Sequence, residues 1–187
     1  MPTSPVSSTK VSSAFMDPKK IIASLGIEKG DIVADLGSGV GYFAIPLAKA
    51  VIPKGRIYAV DIVPDSLELV KSKAKTEGLA NIEYIQADLE VEKSLSIGDS
   101  SVNHVLIVNT LFQLKNKANI FREAKRILLP GGKLIVIDWM PGSNVIGPAD
   151  SEKMTPEQAR IASLINGFKE IKYWFPDAYH YGFVFIK

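Results

Sequence analysis

The stretch Val33-Ala34-Asp35-Leu36-Gly37-Ser38-Gly39-Val40-Gly41-Tyr42-Phe43 decides how the chain is read. Its apolar, β-branched opening predicts a strand, its glycines a tight turn, and the residues beyond them the start of a helix. That succession commonly cradles phosphate, because turn amides and helix N-termini attract anions. Asp35 works against it. A carboxylate two residues before the first glycine repels the pyrophosphate of a dinucleotide, so the loop calls for a ligand of different charge.

Outward from this stretch, strands and helices alternate. Upstream, Asp17-Pro18 reads as a helix start, with Ile21, Ile22 and Leu25 as its apolar stripe and Gly26 as its stop. Ile32 to Leu36, Arg56 to Val60, Ile82 to Gln86, Val102 to Val108 and Lys133 to Ile137 are apolar runs too continuous for a one-faced sheet, which predicts burial on both faces. Helical patterns cover Val40 to Val51, Pro64 to Gly78, Asn116 to Leu128 and Thr155 to Asn166, with a bend expected at Pro46 inside the first. Alternation of this kind predicts an α/β fold with a Rossmann-like, doubly wound sheet. Ile171 to Phe175 and Tyr181 to Ile186 are joined by Pro176-Asp177-Ala178-Tyr179-His180, too short a link for a parallel crossover, so they are expected to form an antiparallel hairpin.

The chain has 187 residues, 47% hydrophobic, which suits one domain over 14–187, with the Ser/Thr/Pro-rich residues 1–13 as a flexible tail. A net charge of +2 gives no general reason to expect a nucleic acid partner. Cysteine is absent, so disulfides, thiolate metal sites and cysteine nucleophiles are excluded, and a cytoplasmic location is expected. No apolar run approaches the ~20 residues that span a bilayer, so no membrane insertion is expected. No His/Cys/carboxylate cluster has zinc-like spacing, and no metal is expected.

In a doubly wound sheet, ligands bind beyond the C-terminal strand ends. Asp35 with Gly37, Ser38, Gly39 and Gly41 follows the first strand, Asp61 ends the second, Asp88 follows the third, Asn109 ends the fourth, and Asp138 with Trp139 ends the fifth. Asp61 suits both hydroxyls of a ribose; alone it would cap the helix near Pro64. Asp88 suits an adenine amino group, with Ile62 and Leu89 as apolar plates on the ring; alone it would be a turn aspartate. Acids at successive strand ends together favour a nucleoside. Asp35 discriminates among nucleosides: S-adenosylmethionine carries ribose and adenine, no phosphate, and an ammonium and a sulfonium that a carboxylate attracts. Asp35 is also suited to brace the glycine turn through backbone amides, and the two roles are compatible.

These motifs resemble the class I S-adenosylmethionine-dependent methyltransferases, and within them the small single-domain enzymes related to those of ubiquinone and menaquinone synthesis. Val33 to Gly41 resembles their first motif, Ile57 to Asp61 their second, and Leu128-Leu129-Pro130-Gly131-Gly132-Lys133-Leu134 the turn before their fifth strand. The resemblance implies a seven-stranded sheet with its last strand inserted antiparallel. It also implies Gly37 and Gly39 beside the methionine part of the cofactor, Asp61 on the ribose, Asp88 at the adenine, and Asn109 beside the methionine amine. The reaction implied is methyl transfer to a small molecule with an O, N or C nucleophile. An acceptor wall is expected from Phe15, Met16, Tyr42, Thr110, Phe112 and Trp139.

The chain departs from the pattern at Asn103, where relatives often have Asp, and at Phe112, where many small-molecule enzymes have His. In-line displacement from a sulfonium needs little beyond positioning, so a dedicated catalytic residue is not required and none is assigned; Asp138 and His180 are the candidates for taking a proton. His104 and His180 are otherwise read as structural. A nicotinamide enzyme is disfavoured by the Gly-x-Gly-x-Gly loop and the lack of a Tyr-x-x-x-Lys pair. The remaining alternatives are a methyltransferase acting on protein or nucleic acid through Lys115, Lys117, Arg122, Lys125 and Arg126, and a non-catalytic cofactor-binding partner subunit. The oligomeric state is not set by the sequence.

Overall fold

The computed structural model describes residues 15–142 and 147–187; the expected tail over 1–13 lies outside the described residues. The first helix, α1 (Pro18–Leu25), begins where capping chemistry puts it. Asp17 accepts from the Lys19 amide at 3.0 Å, Pro18 occupies a position whose missing N–H has no helical partner to lose, and Gly26 closes the helix in the left-handed conformation. Ile21, Ile22 and Leu25 form its buried stripe.

The remaining elements are β1 (Ile32–Leu36), α2 (Ala44–Val51), β2 (Arg56–Asp61), α3 (Pro64–Thr76), β3 (Ile82–Gln86), β4 (Val102–Val108), a short 3-10 turn (Leu111–Gln113), α4 (Ala118–Ile127), β5 (Leu128–Trp139), α5 (Pro156–Ile165), β6 (Lys169–Trp174) and β7 (His180–Ile186). The strands form a seven-stranded sheet in the order β3-β2-β1-β4-β5-β7-β6. The first five are parallel, while β7 runs antiparallel to both β5 and β6, so the expected hairpin is present with its last strand inserted. Strand order reverses between β1 and β4, which opens a crevice beyond their C-terminal ends.

Continuous apolar strands follow from having a core on each face. On β4 and β5, Val105, Ile107, Leu134 and Val136 pack with Ile120, Phe121 and Ile127 of α4, while Leu106, Ile135 and Ile137 pack with Leu47 of α2 and Val70 of α3. Successive side chains point to opposite faces, so a strand covered on both sides has no polar row. Burying each such side chain contributes about 1.5–3 kcal/mol, and Leu106→Ala, at a fully buried position, is expected to cost about 2–5 kcal/mol.

Two expectations are corrected. The helix expected from Val40 starts at Ala44, because residues 40–43 are spent in turns; Pro46 then lies in its opening turn, where no bend is needed. The turn at Pro130-Gly131-Gly132 is incorporated in a long β5, as an excursion between the pairs Val102–Leu128 and His104–Lys133, with Gly131 at φ 79°.

Candidate functional site

Beyond the C-terminal ends of β1, β2, β3 and β4 lies a cavity of about 530 Å³, within the range of small-ligand sites. Asp35, Gly37, Ser38, Gly39, Asp61, Ile62, Asp88, Leu89 and Asn109 all line it; Gly41 does not. Its glycine is instead packed close to Val70 of α3, where an added Cβ would stand 3.1 Å from a methyl carbon at φ 84°.

The loop is shaped by close approach. A Cβ on Gly37 would sit 2.4 Å from the Thr110 hydroxyl, so only glycine lets the turn pass beneath the strand-four loop. Four of its amides are already satisfied. Gly37 and Ser38 donate to the Val60 carbonyl at 2.8 and 2.9 Å, Gly41 donates to the Ser38 carbonyl, and Gly39 donates to Asp61 Oδ2 at 2.8 Å. A pyrophosphate would find these donors taken.

Asp61 also accepts from the Val63 amide at 2.9 Å, while α3 is capped at Val63 without a side-chain bond. Asp61 therefore braces the glycine loop and the turn after β2, and its carboxylate retains acceptor capacity. Asp88 accepts from the Glu90 amide at 2.8 Å, the turn role open to it in the sequence, and still faces the cavity.

Asp35 is buried beside the amide of Ala44 at the start of α2 rather than on the glycine-turn amides. Its Oδ2 has no partner. Burial, then repulsion from Asp61, pushes its carboxyl up to about 7 against the opposing pull of Ala44. The Ser38 hydroxyl and Asn109 Oδ1 are also buried without partners, and both residues line the same cavity. Unmet polar atoms by themselves do not mark a site: Asn81 and Asn119 also leave Oδ1 unmet, but each spends its Nδ2 on two backbone carbonyls as a brace. The cavity is distinguished by convergence. Asp35, Asp61, Asp88 and Glu90 line it, and no lysine or arginine does among the described residues.

Of the residues expected to form an acceptor wall, four lie at the cavity. Phe15, Met16, Tyr42 and Thr110 line the cavity, and the Tyr42 hydroxyl donates to the Met16 carbonyl. Phe112 and Trp139 do not line it. The 3-10 turn buries Leu111 and directs Gln113 and Leu114 to the cavity instead, while the Trp139 ring is packed on His180 with centroids 4.2 Å apart. Asp138 is buried, accepting from the Leu111 and Trp139 amides at 2.9 and 2.8 Å; burial dominates and pushes its carboxyl up to about 6. It holds the strand-four loop and does not line the cavity.

Sequence reasoning missed Ser66, Glu90 and Leu114 as lining residues, and above all Asp177. Asp177 accepts from the Met16 amide at 2.9 Å, from Tyr179 and His180 amides at 2.7 and 3.0 Å, and from His180 Nδ1 at 2.8 Å. The only local signal was an Asp-x-x-His in the hairpin link. Among the described residues, no group of His, Cys, Asp and Glu is arranged to hold a metal, and no helix is long and apolar enough to cross a membrane.

A family model described as a methyltransferase domain matches residues 27–178. The chain belongs to the methyltransferase domain family. A relative named ubiquinone/menaquinone biosynthesis C-methyltransferase UbiE, from Francisella philomiragia subsp. philomiragia, is 34% identical over 122 residues, covering 65% of this chain and 48% of the relative. The chain thus spans about half the length of such curated relatives. A solved SAM-dependent methyltransferase from Aquifex aeolicus matches 91% of this chain and 89% of its own at TM-score 0.84 and 24% identity. An arsenic (III) S-adenosylmethionine methyltransferase from Chlamydomonas reinhardtii matches 92% of this chain and 74% of its own at TM-score 0.70 and 21% identity. Both structures show a shared fold.

Proposed function

We propose that the chain is a single methyltransferase domain that binds S-adenosylmethionine in the acidic cavity and methylates a small molecule in the cytoplasm. The observation that carries this reading is the cavity's charge: it is lined by carboxylates, and the amides of Gly37, Ser38, Gly39 and Gly41 are spent within the protein. A phosphorylated coenzyme is repelled there, and a cationic nucleoside is attracted. The residues fit the cofactor. Asp61 would take the ribose hydroxyls, Asp88 the adenine amino group between Ile62 and Leu89, and the unmet oxygens of Asp35 and Asn109 the methionine ammonium.

When bound, S-adenosylmethionine supplies a methyl group on a sulfonium, a leaving group that needs no protonation. The chain's contribution is positioning and exclusion of water. Phe15, Met16, Tyr42, Gln113 and Leu114 offer apolar and aromatic surface for a planar acceptor, and a carbon nucleophile is the choice favoured by the names of the curated relatives. An arsenic acceptor is disfavoured because the chain has no cysteine thiols to hold it. A nucleic acid acceptor is disfavoured because three of the five basic residues are used within the protein: Arg126 binds Glu123, Asp99 and the Ile97 carbonyl, Lys125 the Gly167 carbonyl, and Lys117 the Leu114 carbonyl.

Thermal shift with S-adenosylhomocysteine and with NAD tests the cofactor. Stabilisation by the first and not the second is expected; the opposite result overturns the proposal. Labelled-methyl transfer into a size-fractionated cell extract then locates the acceptor. Label in the small-molecule fraction is expected, and label confined to macromolecules refutes that choice. Binding without transfer to any fraction would identify a cofactor-binding partner subunit.

A further inference from the structure

We propose that His180 is a positioning residue that, held by Asp177, fixes the orientation of the Asn109 side-chain amide so that its oxygen is presented to the cationic amino group of the ligand. This rests on the cofactor reading above and assigns a role to a histidine that touches no ligand in it.

The donors run in one direction. Asp177 accepts at every contact it makes here, from three backbone amides and from His180 Nδ1 at 2.8 Å to Oδ1 and 3.0 Å to Oδ2. A carboxylate so placed holds the imidazole proton on Nδ1, leaving Nε2 as an acceptor. Asn109 Nδ2 lies 3.2 Å from that nitrogen and donates to it. Its amide is thereby oriented. The remaining Oδ1 is buried, unpartnered and part of a residue lining the cavity. The opposite orientation would set Nδ2 hydrogens against an ammonium, and would face an amide oxygen with the lone pair of Nε2.

A backbone reason for Asn109 exists as well, since its φ is 52° and asparagine tolerates that region. That reason does not require the side chain to meet a buried histidine. His180 is fully buried, packed against the Trp139 ring at 4.2 Å and the Phe15 ring at 5.7 Å. Burial holds its pKa below the ordinary value against the pull of Asp177, which keeps the acceptor form at neutral pH. The same aspartate binds the Met16 amide, so the segment that carries Phe15 and the amide-orienting histidine share one anchor.

The test compares two nucleosides by calorimetry. S-adenosylhomocysteine has the amino group; 5′-methylthioadenosine has the same nucleoside without it. His180→Phe keeps a ring against Trp139 and Phe15 and removes the acceptor. It is expected to weaken S-adenosylhomocysteine about tenfold, the effect of one hydrogen bond to a charged group, and to leave methylthioadenosine within about twofold. His180→Gln, whose amide oxygen can accept from Asn109, is expected to recover most of the loss. Equal losses for both nucleosides, or no loss, overturn the inference and leave the cofactor reading standing. Failure of the unmodified chain to bind either nucleoside overturns both. If the phenylalanine variant does not fold, long-range proton–nitrogen NMR of the unmodified chain decides, with His104→Gln identifying the signals: an Nδ1–H tautomer with bare Nε2 is expected for His180, and an Nε2–H tautomer overturns the inference.

Discussion

At the end of the sheet where β1 begins, Asp31 accepts from the Glu28 amide at 2.7 Å and meets His104 Nε2 at 3.0 Å, while Asn103 accepts from the Ile32 amide at 2.8 Å. At the opposite end, Asp177 meets His180, and His180 meets Asn109. Both ends thus place an aspartate, a histidine and an asparagine around the ends of β1, β4 and the neighbouring strands. Burial is the largest influence on both histidines and lowers both pKa values. The difference lies in the last member. Asn103 spends its oxygen on the backbone of β1, whereas Asn109 keeps its oxygen unspent beside an acidic cavity. A buried His–Asp pair says little about function until the atom it leaves free is located.

The contrast is broken most severely by removing the charge at the cavity end. Asp35→Asn is expected to weaken S-adenosylhomocysteine about 100-fold by calorimetry, because an ammonium would lose its buried counter-charge. Asp61→Ala should cost about thirtyfold, through lost charge-assisted bonds to the ribose and a loosened Gly39. A smaller effect comes from pH. Burial pushes the Asp35 carboxyl up to about 7 and only its ionised form attracts a cation, so as pH falls below that value affinity should drop about tenfold per unit until it reaches the level of the Asp35→Asn variant.

Stability without ligand should respond in the reverse sense. The folded pKa of Asp35 is above its unfolded value of 3.8, so the folded state binds more protons between the two and this group's stabilising share declines as pH rises from about 4 to 7. Asp138, pushed up to about 6, adds in the same direction. Asp35→Asn, which cannot ionise, should remove the cost of a buried charge and raise ligand-free stability near pH 7 by on the order of 2 kcal/mol in denaturant melts. The smallest effect on affinity is expected at the other end: His104→Gln should cost about 1 kcal/mol of stability while leaving S-adenosylhomocysteine affinity within about twofold. A large affinity loss there would erase the distinction between the two ends.

Much of this was legible in the sequence, because the signals were local. The strand, glycine turn and helix around Asp35, the acids after successive strands and the cap at Asp17 are each written within a few residues. Phe112 and Trp139 were misplaced because residue type does not show direction. A 3-10 turn decides that Gln113 rather than Phe112 faces inward, and the cross-strand pairing of Trp139 with His180 decides that its ring is covered. Asp177 was out of reach for a different reason: its bond to the Met16 amide joins positions 161 residues apart, and nothing near either one announces the other.

The insertion of β7 between β5 and β6 has a further consequence, for the order of assembly. β6 is made before the strand that must separate it from the rest of the sheet, so until β7 arrives its backbone has no neighbour to bond. Chains halted before position 180 would carry that sticky segment permanently, alongside an open flank on β5, and should clump rather than fold to a smaller version of the same sheet.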